Sequence, residues 1–182
     1  MMYTNKDSIL QLRSIDYSDV DLIVDWRNRQ DARDAFFSKE VVTPDTHNLF
    51  IINRKPHDLV WIVELKKEHV DNMRKPLAIG TVSLTVDVVN FKAEFGRLYI
   101  PIEYRNDVTK YAYNAAHIAL TYGFEMLRLN EIWADVKIGN KDAIKFYERF
   151  GFVPNTSVMS SHDNAVIYTY TAERWAEIYS GH

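Results

Sequence analysis

Two short stretches concentrate the side chains that could meet a charged or reactive group. In "VDWRN" (24–28), Trp26 reads as a core filler. Arg27 carries a planar guanidinium whose fork matches a phosphate or carboxylate, or else serves as a helix-end charge favoured by the helix dipole. In "NKDAIKFYERFGFV" (140–153), a phenol, Tyr147, stands beside Phe146 and near Phe150, where packing with them would explain it fully. The chain has no cysteine. Disulfides, thiolate metal sites and a covalent cysteine intermediate are therefore excluded, and any acyl transfer must run another way. The six histidines, His47, His57, His69, His117, His162 and His182, show no i, i+4 pair and no HExxH pattern, so no metal site is expected.

The composition narrows the classes further. With 182 residues, 47% hydrophobic and 26% charged, the chain reads as one globular domain spanning 1–182, with a core over about 9–171. The formal charge is -3 with Lys and Arg dispersed, so neither a nucleic acid nor an anionic membrane is an expected partner. No apolar run approaches the roughly 20 residues that span a bilayer, and "MMYTNKDSILQLRSIDYSD" lacks the pattern of a secretion signal. A cytoplasmic location is expected.

The elements that must position these residues can be read in order. "ILQLRSI" (9–15) alternates as an opening strand, and Ser18 is placed to cap a helix whose apolar face is Leu22, Ile23 and Trp26. Thr43-Pro44 starts a second helix. Strands follow at 59–65, 78–89 and 93–100, the first two joined through the charged stretch 66–76 and the last two through Asn90. On the strand at 93–100, strict alternation puts Glu94, Gly96 and Leu98 on one face and Phe95, Arg97 and Tyr99 on the other. A long helix runs from Val108 with the stripe Val108, Ala112, Ala115, Ala119 and Tyr122. A strand at 131–138 leads to the helix opened by Asn140, with Asp142 in its first turn and Gly151 past its end. A strand at 165–171 and a short helix close the chain. This order describes an α/β (α+β) fold: a single mixed, mostly antiparallel sheet flanked by helices.

Taken together, "AEFGRLYIPIEYR", "YGFEMLRLNEIWADV" and "NKDAIKFYERFGFV" resemble the GNAT family of N-acetyltransferases over about residues 9–171. The front half, "VDWRN" with "TPDTHNLFI", is similar to the branch acting on nucleotide-linked amino sugars and to the branch acting on ribosomal protein N-termini. The resemblance implies direct transfer of acetyl from acetyl-coenzyme A to a primary amine of a small-molecule acceptor, with no acyl-enzyme and no metal, and it leaves room for a homodimer. It implies that Leu98, Tyr99 and Ile100 supply backbone to the pantetheine arm, that the pyrophosphate sits where the long helix begins, and that Asn140 and Phe146 belong to the cofactor block. Tyr147 matches the family's proton donor to the departing thiolate. Glu94 matches the position from which a base draws the amine's proton. Trp26, Arg27 and Glu94 fall where the acceptor site forms.

One departure stands out. The family's phosphate loop, Gln or Arg, two residues, Gly, one residue, then Gly or Ala, falls on Asp107, Val108, Thr109, Lys110, Tyr111 and Ala112, where only the alanine fits. Either the main-chain amides still serve, with Lys110 adding a cation, or side chains crowd the approach that glycine would allow. The reading that follows is an acetyl-coenzyme A dependent N-acetyltransferase for a small amine, most plausibly a nucleotide-linked amino sugar. A protein N-terminal acetyltransferase and a non-catalytic binding module of the same fold are the alternatives.

Overall fold

The alternating runs pair into a single sheet. The computed structural model describes residues 2–3, 8–69, 75–105 and 110–179. Its strands are β1 (Met2–Tyr3), β2 (Leu10–Ser14), β3 (Asp58–Leu65), β4 (Leu77–Asp87), β5 (Lys92–Tyr99), β6 (Glu131–Lys137), β7 (Val153–Asn155) and β8 (Ala165–Thr171). Across the sheet they run β1-β2-β3-β4-β5-β6-β8-β7. Every neighbouring pair is antiparallel except β5 with β6. Helices α1 (Val20–Asn28), α2 (Gln30–Ala35) and α3 (Pro44–Asn53) precede β3, α4 (Tyr111–Thr121) and α5 (Lys141–Phe150) flank β6, and α6 (Ala172–Tyr179) follows β8. None of the described helices is long and apolar enough to cross a membrane.

The apolar faces divide the molecule in two. On one side Leu10, Leu12, Val63, Leu84 and Phe95 pack with Ala115 and Ala119 of α4. On the other, Ile23 of α1 packs with Val60 and Ile62, and Trp26 packs with Ala32 of α2 and Tyr99 of β5. The small side chains along α4 let its backbone lie close to the sheet. Its end passes into a wider π turn over Tyr122–Met126. There a Cβ on Gly123 would meet Ile132 Cδ1 at 2.7 Å, so glycine is what permits the contact.

Several local expectations change. The α1 approach is capped by Asp16, not Ser18. The Asp16 carboxylate accepts from the Ser18 amide at 2.8 Å while Asp19 accepts from the Asp16 amide at 2.9 Å, a reciprocal box that a single hydroxyl at Ser18 could not make. Thr43 caps α3 as read, its hydroxyl accepting from Thr46 N–H at 3.2 Å. α4 starts at Tyr111; the start placed at Val108, and with it Val108 and Thr109, lies outside the described residues. α2 and the three-residue β7, both too short to show periodicity, are additional elements.

The larger correction lies in β5. Thr81 pairs with Tyr99 but Ser83 pairs with Gly96, so β5 carries one extra residue, and Arg97 sits there at φ +48°. This is a β-bulge. It breaks the alternation: Leu98 packs with Phe95 against the main core, while Arg97 and Tyr99 both line the chamber beneath α1 and α3. β5 ends close against β4, where Gly80 leaves room for the Tyr99 carbonyl, which a Cβ would meet at 2.3 Å.

Candidate active site

The site begins where the sheet comes apart. β5 and β6 pair only at Lys92↔Glu131, Ala93↔Ile132 and Glu94↔Trp133. Beyond these residues the strands diverge, and a cleft of about 370 Å³ opens between them. Glu94, Gly96 and Leu98 of β5, Asp135 of β6, and Asn140 and Tyr147 of α5 line it. The parallel pairing is what makes the cleft possible: β6 is held along its whole length by β8 on its other edge, so it can leave β5 without losing its place in the sheet.

α5 delivers Tyr147 because its start is fixed. Asn140 Oδ1 accepts from Ala143 N–H at 3.0 Å, and Gly151 ends the helix at φ +107°. Tyr147 meets Phe95 edge-on at 6.0 Å between centroids and Phe152 at 5.2 Å. Burial among these rings, and then the nearby charge of Glu94, push its phenol well above the ordinary tyrosine range. It therefore keeps its proton at neutral pH. Burial also raises Glu94; Arg97 pulls it back down and Asp135 adds to the rise.

Two further spaces accompany the cleft. At the start of α4 a cavity of about 810 Å³ is lined by Ile100, Lys110, Tyr111 and Ala112, with Phe146, Lys145 and Arg149 facing from α5. Lys110 adopts the left-handed conformation, φ +48°, immediately before the helix. The bulk of Lys110 and Tyr111 thus borders an open space. Arg105 lines it too, but its guanidinium is tied to Asp31 at 2.6 Å. Lys145 and Arg149, one turn apart on α5, were not foreseen; they supply cations from the opposite wall.

On the other side, beneath α1 and α3, lies a chamber of about 200 Å³. Trp26, 3% exposed, belongs to its wall as well as to the core. Arg27 lies 3.9 Å over the ring of Phe36, and Arg97 lies 5.3 Å from the ring of Phe50 and donates to Ser83 Oγ at 3.3 Å. Among the described residues neither guanidinium has a carboxylate at ion-pair distance. His47 is 9% exposed, and its Nε2 has no hydrogen-bond partner among them. Burial, and then the charge of Arg27, push its imidazole down, so it is neutral at pH 7. Arg29 is taken: it pairs with Asp25 at 2.7 Å and Glu103 at 2.8 Å.

Every described residue named for catalysis, cofactor or acceptor binding borders one of these three spaces. Glu94, Leu98, Asn140 and Tyr147 face the cleft, Trp26, Arg27 and Tyr99 the chamber, and Ile100, Lys110, Tyr111, Ala112 and Phe146 the cavity at α4. Tyr99 does so with its ring, and its hydroxyl contacts both Asp31 oxygens at 3.2 Å; burial, then Asp31, push that phenol up to about 12. Arg97, His47 and Asp135 were missed. Arg97 reaches the chamber only because of the bulge, which leaves no mark in the residue pattern.

The acetyltransferase (GNAT) domain matches residues 10–153. The chain belongs to the GNAT family. It is accordingly an N-acetyltransferase, with acetyl-coenzyme A as acetyl donor. No curated protein sequence matches it significantly. Among solved structures it resembles the Vibrio cholerae spermidine N-acetyltransferase in complex with CoA and spermine, at 21% identity over 93% of this chain and 99% of that one, with a TM-score of 0.75. A GNAT-family acetyltransferase from Bacillus anthracis is similar at 20% identity over 95% and 99%, TM-score 0.74. A dodecameric structure of the Vibrio cholerae enzyme in an intermediate state matches at 21% identity over 95% and 99%, TM-score 0.68. The open edge of β5 and the cation-lined cavity at α4 fit this donor, whose arm needs backbone partners and whose pyrophosphate needs positive charge.

Proposed function

We propose that the chain acetylates the primary amine of a small acceptor that also bears an anionic group, and that a nucleotide-linked amino sugar is the acceptor class that fits best. The carrying observation is the chamber, where Arg27 and Arg97 stand without carboxylate partners beside a neutral, buried His47. Two such cations in an apolar wall repel each other, and an anion between them relieves that repulsion while meeting a planar fork. The chamber and the cleft share a wall, since Arg27, Phe36 and Arg97 line both. An acceptor can therefore hold its anion in one and its amine in the other.

A polyamine, the ligand of the Vibrio cholerae relative, would bring ammonium groups against both arginines. A peptide N-terminus would call for an open groove, whereas this chamber is walled by α1 and α3 and by Phe36 at the end of α2. Self-association, at least as a homodimer, belongs to the same proposal.

Acetyl-coenzyme A supplies an activated thioester. Glu94 takes a proton from the acceptor's ammonium, freeing the lone pair that forms the new C–N bond as the C–S bond breaks. Tyr147, held in its protonated form, donates a hydrogen bond to the sulfur. Because its phenol is a much weaker acid than a thiol, it can pass its proton on only as it regains one from the reacting nitrogen.

The test is a thiol-release assay over amino sugars with and without a nucleoside diphosphate, spermidine and short peptides. The nucleotide-linked amines should give the highest kcat/KM. Spermidine turning over as well as they do would sink the anionic-acceptor reading.

A further inference from the structure

We propose that the carboxylate of Asp135 binds the acceptor's ammonium group in the space above Gly96, positioning it for Glu94 to deprotonate. The inference rests on the reading above and adds a residue to it.

Three observations carry it. First, Glu94 and Trp133 are register partners in the parallel pair, so two residues on Gly96 and Asp135 stand across the opening split, on the face to which Glu94 also points. Second, Gly96 is not a packing necessity: a Cβ there would find Ser83 Oγ at 3.7 Å and Glu94 Oε1 at 3.9 Å, both ordinary contacts. Its missing side chain leaves space beside the Glu94 carboxylate on the wall of the cleft that Asp135 also lines. Third, Asp135 Oδ1 is shut off from solvent and has no hydrogen-bond partner among the described residues. That oxygen leaves the group's charge uncompensated inside, and a cation in the cleft that Asp135 lines would offset it through the rest of the carboxylate.

Among the described residues no Lys or Arg of the cleft forms an ion pair with Asp135. Lys137 Nζ donates to the carbonyls of Asp34 and Phe36 at 3.0 and 2.7 Å. Arg27 lies on Phe36, and Arg97 on Phe50 and Ser83. The incoming ammonium is the cation that completes the site. The proton balance closes: R–NH3+ held by Asp135 gives one proton to Glu94, which passes it to solvent, and as the neutral amine forms the amide its second proton goes by way of Tyr147 to the departing sulfur.

The charge of Asp135 also bears on Glu94. The groups whose charge couples with Glu94 are Arg97 on its own strand, Asp135 on β6, Tyr147 on α5, His162 in the β7–β8 connection and, two strands away, Asp58 at the start of β3. Asp135 and Asp58 raise its pKa, and Arg97 and His162 lower it. A base must be ionised to act, so kcat/KM falls as the pH drops through the raised Glu94 value. Asp135→Asn removes one raising charge, and the acid limb should move to lower pH.

The experiment compares Asp135→Asn with the wild type on the best acceptor of the panel. We expect the acceptor KM to rise at least about tenfold, as for a lost hydrogen bond to a charged group. The KM for acetyl-coenzyme A should stay unchanged, and the acid limb should shift down. An unchanged acceptor KM and limb overturn the proposal while leaving the transferase intact. Gly96→Ala, which the fold accommodates, should raise the same KM with little change in Tm; an unaltered KM overturns the placement above Gly96. Carboxyl NMR titration of Glu94 without substrate needs no turnover: its midpoint should fall in Asp135→Asn, and an unmoved midpoint overturns the coupling even if no amine in the panel is acetylated.

Discussion

The two ends of the cleft are built from different materials. In the proposed site the donor's contacts come from the main chain: the open edge of β5 and the first turn of α4, with Lys110, Lys145 and Arg149 adding charge around a broad cavity. On the acceptor side they come from side chains: Arg27, Arg97, His47 and the rings of Phe36 and Phe50 around a small chamber. Main-chain amides survive a change of residue, which is how a phosphate loop without its glycines can still belong to a working transferase. Side-chain recognition does not survive it, so the acceptor end is the part of the proposed site most sensitive to substitution.

This contrast is tested most severely where the two ends meet. Tyr147→Phe keeps the rings packed and removes only the hydroxyl. We expect turnover to fall about 10²–10⁴-fold, the usual range for a lost proton donor, with the KM values of both substrates nearly unchanged. Steady-state kinetics decides, and a turnover within a factor of two of wild type would take Tyr147 out of the reaction. A smaller effect is expected at Arg27. Its fork lies half-buried over Phe36, so Arg27→Met should leave the fold intact and lower kcat/KM for an anionic acceptor about 10–100-fold, the value of a hydrogen bond between charged groups. Arg27→Lys keeps the charge but loses the planar fork, and should recover only part of it. Equal losses for an uncharged amine would show that Arg27 shapes the chamber instead of reading the anion.

The same division explains what the sequence could disclose. The donor half was legible because its signals are local. Asn140, Phe146, Tyr147 and Gly151 form one capped helix, and the apolar stripe of α4 has a helical period. Glu94 and Arg27 could be placed because each lies beside a strong strand or helix pattern. His47, Arg97 and Asp135 escaped for tertiary reasons. Arg97 depends on an extra residue in β5 that shows only in its pairing with β4. Asp135 gains meaning from a divergence of strands that no single strand records. His47 reads as an ordinary residue in the first turns of α3 until α1 closes over it.

The weakest expected effect falls on the donor side, and its smallness is the point. Lys110 is exposed at the mouth of α4 and approaches the donor as a solvated charge, not as a fixed hydrogen-bond donor. Lys110→Glu should therefore weaken acetyl-coenzyme A binding, measured by calorimetry, only about five- to tenfold at low ionic strength, as screened surface charges do. Added salt should erase most of that difference, because exposed charges are screened over about a nanometre at 0.1 M. The acceptor KM should not move. A loss of a hundredfold or more that persists in high salt would mean that one side chain carries the pyrophosphate. The main-chain account of the donor site would then give way to one in which Lys110 stands in for the missing glycines.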